Sequence, residues 1–208
     1  MRHLAEVDTH STVIMVQVEN ETGVLGDSRN RSKKTEEAFK KPVPQELMRH
    51  LSGPNLHSRF KRRFSNIPSD GEHSWEDVFG AGVPANEAFM AHHISTFVGC
   101  VAAAGKKQHP IPMYANAWLN FDEPRELELT GLPIVVGGGK VAAVYPSGGP
   151  CPHMIDIWRL NAPEIDFVAP DLYVHNYELI FQYYSEQGNP LFIPEMRRDS
   201  WPWLPCLF

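Results

Sequence analysis

Cysteine is scarce in this sequence. Among 208 residues only Cys100, Cys151 and Cys206 carry thiols. Their odd number and scatter, with no CxxC or Cys/His spacing, exclude a disulfide framework and give no reason to expect a zinc site. Basic charge is short as well: 19 Lys and Arg stand against 25 Asp and Glu, for a formal net charge of −6 and a pI near 5.9. That balance argues against nucleic acid or an anionic membrane surface as a partner. The one basic cluster, Arg59, Lys61, Arg62 and Arg63, lies in a polar stretch with few aromatics and reads as a solvated loop. No apolar run reads as long enough to span a membrane. The opening MRHLAEVDTH lacks the apolar core of a signal peptide, as expected of a chain that starts inside a domain.

What remains is ordinary globular composition, 42% hydrophobic and 21% charged, enough for one domain with a real core. The 18 prolines and 11% aromatic residues point to a loop-rich enzyme rather than a helical bundle.

Along the chain, TVIMVQV (12–18) is rich in β-branched residues and stops at Glu19-Asn20-Glu21. A buried parallel strand reads this way, with polar residues gathered at its end. Residues 24–84 are polar and without strong periodicity, and are expected to form a long loop excursion over the mouth of a site, or to be partly disordered. From Ala85 to Gly105 the apolar spacing is helical, with adjacent His92 and His93 reading as packing or surface groups rather than ligands. IPMYANAWL (111–119) predicts a second strand. The run Gly137-Gly138-Gly139 does not stand between a strand and a helix as a phosphate loop requires, so nucleotide binding is not expected. A helix around Met154–Leu160, a strand IDFVAP (165–170), a helix over Tyr177–Gln187 and a strand LFIPE (191–195) follow. Strands alternating with helices predict an α/β fold with a parallel sheet and right-handed crossovers. Each strand ends in residues fit for chemistry, the habit of a (β/α)8 barrel. Four strands are found where a closed barrel needs eight.

Two strand-end glutamates, Glu21 and Glu195, could converge on one pocket in such a sheet. Cleaving a glycosidic bond requires a protonated carboxyl for the leaving oxygen and an ionised one for the anomeric carbon. Tyr114, Asn116 and Trp118 alternate along their strand and suit a sugar pocket equally with inward packing. Glu19 should face the same side as Glu21, either binding a substrate hydroxyl or pairing with a neighbour such as Arg197. Asp171 is a hydroxyl ligand or a structural acceptor.

Five segments, in order, carry a resemblance: VQVENETG (16–23), PMYANAWL (112–119), YPSGGP (145–150), APDLY (169–173) and PLFIPEMRRD (190–199). Together they resemble family 35 glycoside hydrolases, the β-galactosidases of the clan A barrels, and specifically the microbial and fungal branch. The resemblance runs over residues 1–199 and implies a partial (β/α)8 barrel, about strands four to seven with their helices. It implies Glu21 as acid/base, Glu195 as nucleophile, and Asn20 as the asparagine that binds the sugar 2-hydroxyl. Tyr173 matches the place of a tyrosine that touches the nucleophile and would hold its rotamer. The implied activity is a retaining, exo-acting hydrolysis of terminal β-galactosyl residues, with a carbohydrate substrate and no metal or organic cofactor. Other clan A sugars and a catalytically inert fragment are the alternatives.

The chain departs from that family in lacking strands one to three, strand eight and the β-rich domains that follow. Residues 200–208, with two prolines and several large apolar groups, read as an aberrant tail. The expectation is a chain that holds the catalytic pair, needs the missing strands to complete a site, and is inactive and poorly soluble alone.

Overall fold

The computed structural model describes residues 1–121, 138–173 and 177–196. Its centre is a small parallel sheet of β1 (Val16–Gln17), β2 (Met113–Ala117) and β5 (Phe167–Pro170), in that order. Register runs Val16 to Met113 and Tyr114 to Phe167, so the strands lie side by side in chain order. Only two residues of the 12–18 run pair as strand. LFIPE, expected as a fourth strand, is instead an irregular segment joined to the sheet by one parallel bridge, Leu172 to Met196, with Leu172 N donating to Glu195 O at 2.8 Å. Pro190 stands just before it and Pro194 inside it, and neither offers the N–H that a ladder would use. No closed barrel is present among the described residues, and their architecture is a helix-rich α/β fold with small parallel sheets.

Alternation along β2 separates two environments. Met113 and Ala115 enter the main core, and Ala117, Leu119 and Phe121 enter a second cluster with Val168, Ile180 and Tyr184. These odd positions face the helices. Even positions face the other way: Tyr114 stacks on Phe167 at 5.3 Å and meets Phe192 edge-on, and Asn116 follows it towards the strand's carboxyl end.

The stretch 24–84 is corrected from a loop excursion to a helical layer. It holds α2 (Lys33–Phe39), α3 (Gln45–Leu51), α4 (Ser58–Arg63) and α5 (Trp75–Phe79). Side-chain caps start three of them, His57 doing so at α4 by accepting from Arg59 N at 3.0 Å. Ser32 caps α2 by accepting from Thr35 N, and Ser74 with Asp77 forms a reciprocal capping box on α5. Their apolar faces (Leu47, Met48, Phe60, Trp75, Phe79) all enter the main core. The basic cluster is helical too, and Arg59 is buried, its guanidinium 4.6 Å from the Tyr183 ring centre.

Against this layer lies α6 (Val83–Lys106), 24 residues long. By length and composition, with a mean hydropathy of 1.3 over its most apolar stretch, α6 could cross a membrane, which corrects the expectation that no run could. Its first half packs as a core helix, with residues 85–91 all buried, whereas Phe97 and Val101 are exposed. Ala85, Ala88, Ala91, Gly99 and Ala102 let it approach α5 and α7 (Ile155–Asn161) closely. A Cβ on Gly99 would stand 2.5 Å from the Asn161 carbonyl oxygen. Glu87, inside the same helix, is fully buried and meets His153 at 2.9 Å, the Tyr145 hydroxyl at 2.7 Å and Arg63 at 3.4 Å. Burial pushes its carboxyl up, but His153, Arg63 and Tyr145 outweigh that and hold it below the usual value. His92 and His93 pack against aromatic rings, and burial, with His93 beside it, lowers His92 to about 4.

Gly138–Gly139 forms the short strand β4, parallel to β3 (Leu119–Asn120). The remaining helix, α8 (Tyr177–Ser185), packs on β5. Gly137, Arg197 and the tail 200–208 lie outside the described residues.

Candidate active site

At the carboxyl end of β1 the extended backbone breaks. Glu19 and Glu21 both adopt left-handed conformations, φ 62° and 47°, so strand alternation no longer applies to them. The expectation that Glu19 shares a face with Glu21 by alternation therefore loses its basis. Glu19 is exposed, and its carbonyl accepts from Gln17 Nε2 at 3.1 Å. Each left-handed non-glycine residue costs about 1–2 kcal/mol, so something must hold the turn.

Two groups do. The Gln17 side chain donates to Asn20 Oδ1 at 2.8 Å. Asn116, buried on β2, accepts from Glu21 N at 2.8 Å and donates to Asn20 Oδ1 at 3.1 Å and to Asp171 Oδ2 at 2.9 Å. Beyond the turn, Val24 and Ser147 exchange both backbone hydrogen bonds at 3.0 and 2.9 Å. A Cβ on Gly149 would lie 2.6 Å from the Thr22 carbonyl oxygen. The segment YPSGGP thus clamps residues 22–24. Sequence reasoning gave Gln17 and this clamp no role. The closely spaced glycines were the only signal of a close approach.

Glu21, Asp171 and Glu195 each place a carboxylate oxygen within 4.8 Å of the other two. Tyr173 donates its hydroxyl to Glu195 Oε2 at 2.8 Å. That bond is the main reason the Tyr173 phenol is pushed up to about 12. Asp171 is completely buried, and its Oδ1 has no hydrogen-bond partner. Burial first, then the charges of Glu195 and Glu21, push Asp171 up to about 8. Like charges this close cannot all ionise cheaply, and a proton resident on Asp171 relieves them. The same three oxygens are close enough to hold a divalent cation.

The structure therefore brings together Asn20, Glu21, Asn116, Asp171, Tyr173 and Glu195. Tyr114 stands apart, half of an aromatic stack, although Asp171 and Glu195 are near enough, after burial, to help raise its phenol. Trp118 is partly exposed and packs with Ala142, Tyr145 and Cys151, its indole N–H buried and unpaired.

The chain matches no protein-family model and no curated protein.

Proposed function

We propose that this protein is a retaining glycoside hydrolase of the β-galactosidase type, with Glu195 as nucleophile and Glu21 as acid/base. The carrying observation is the approach of Glu21 and Glu195, with oxygens inside 4.8 Å of each other. Retaining pairs stand about 5–5.5 Å apart, whereas inverting pairs need about 6.5–9.5 Å to admit a water. Glu195 attacks the anomeric carbon, and the bond to the leaving oxygen breaks as Glu21 protonates it. Glu21 then takes a proton from water, which attacks the same carbon and releases the sugar with its configuration retained. Tyr173 orients the nucleophile through its 2.8 Å bond. The galactosyl preference rests on the five-segment resemblance to family 35.

A 2-deoxy-2-fluoro-β-galactosyl donor with a dinitrophenol leaving group tests this directly, because the fluorine slows release of the glycosyl-enzyme. Against the expectation of an inactive chain, mass spectrometry should find the fluorosugar as an ester on Glu195, with no labelling in Glu195→Gln, because Glu21, Tyr173 and Glu195 already stand together. Labelling elsewhere, or of both proteins equally, would count against the assignment. A gluco-configured donor that labels faster would move the specificity to another sugar. A second reading, a carbohydrate-binding chain without turnover, is supported by the open three-stranded sheet among the described residues. Binding of galactose with no labelling would favour it.

A further inference from the structure

Alternation along β2 assigned Asn116 to the sugar, but its side chain is already occupied. It is 1% exposed. Its Oδ1 accepts from Glu21 N, and its Nδ2 donates to Asn20 and Asp171. Those three bonds tie together the two residues of the strand-end turn and the buried third carboxyl. The turn itself is strained, with left-handed Glu19 and Glu21 on either side of Asn20.

We propose that Asn116 is a positioning residue for the acid/base: it fixes the backbone of Glu21, so that its loss impairs proton delivery to the leaving group more than sugar binding. This rests on the glycosidase reading above.

The consequence is selective. Leaving groups that depart as stable anions need no proton, whereas an alkoxide does, and general acid catalysis contributes about 10²–10⁴-fold where it is needed. In Asn116→Ala, kcat/KM for methyl β-galactoside should fall about 100-fold or more, and for 2,4-dinitrophenyl β-galactoside less than about fivefold. KM should not rise for either, and should fall for the dinitrophenyl substrate as the glycosyl-enzyme accumulates. Added azide should restore dinitrophenyl turnover in the variant and yield β-galactosyl azide, because the second step no longer has a well-placed base. Equal losses on both substrates with a raised KM would make Asn116 a sugar ligand and overturn the proposal.

Asn116→Ala leaves a buried void, so a measurement on the wild type is paired with it. Amide hydrogen exchange should show Glu21 N–H strongly protected relative to exposed Asn20. Exchange of Glu21 at an open-chain rate would overturn the proposal without any variant. If the wild type neither turns over nor is labelled at Glu195, the glycosidase reading fails, and the exchange result still decides whether Asn116 holds the turn.

Discussion

Asp171, buried between Glu21 and Glu195, bears on stability as well as on the site. Its carboxyl is raised from an ordinary 3.8 to about 8, by burial first and then by Glu195 and Glu21. The folded chain therefore keeps a proton that the unfolded chain releases near pH 4. The stabilisation from this group is complete below that pH and is lost as pH rises through about 8. Between those limits the wild type should lose about 1.4 kcal/mol per pH unit from this one site. Asp171→Asn, which has nothing to titrate, should flatten the dependence, as measured by urea unfolding between pH 5 and 7.5. Parallel slopes for the two proteins would mean that Asp171 is already ionised in the fold. The existence of this carboxyl at a strand end was legible in APDLY. Its burial and its crowding by two other carboxylates were not, because both depend on where chain segments far apart in sequence meet.

At the scale of elements, α6 and α7 approach closely at Gly99. A methyl group there would meet the Asn161 carbonyl at 2.5 Å and Ala162 Cα at 2.9 Å. Backbone cannot yield as a side chain can, so Gly99→Ala should destabilise the fold by about 1–3 kcal/mol. Differential scanning calorimetry would read this as a lower Tm, and an unchanged Tm would show that the helices can separate without loss. Long elements such as α6 were readable from the apolar spacing over 85–105, although Phe97 and Val101, which carry part of that spacing, are exposed. The helices α2 to α5 were not, for each has five to seven residues, too few to display a period. Their stability comes from tertiary packing rather than propensity. Arg59 misled for a related reason: its neighbours Lys61 and Arg62 are exposed, and only the helical turn carries Arg59 inward. Alternation failed at Glu19 and Glu21 because a left-handed backbone leaves no mark in residue types of this kind.

For the molecule as a whole, the described sheet presents β1 with β2 on one side only. Just before it, Ile14 is 69% exposed. An open strand edge beside an exposed branched residue is a template for pairing with a second chain. Self-association that grows with concentration is expected in light scattering, and Ile14→Lys should reduce it while leaving Tm within about 1 °C, since surface changes rarely exceed 0.5 kcal/mol. Unchanged association in that variant would direct attention to another face, such as the exposed Phe97 and Val101 of α6.

The hydrogen bond from Glu21 to Asn116 also sets a schedule. Its two ends are 95 positions apart, and Asn116 then reaches Asp171 another 55 positions on. At a synthesis rate of about 5–20 residues per second, the turn bearing Glu21 waits roughly 5–20 s for its anchor to be made. Tyr173 and Glu195, 22 positions apart, follow later still. On a ribosome, then, the proposed catalytic pair assembles only once the segment bearing Glu195 has emerged. Until Asn116 is in place the left-handed turn lacks its anchor, and the relaxed segment is open to a chaperone or a protease.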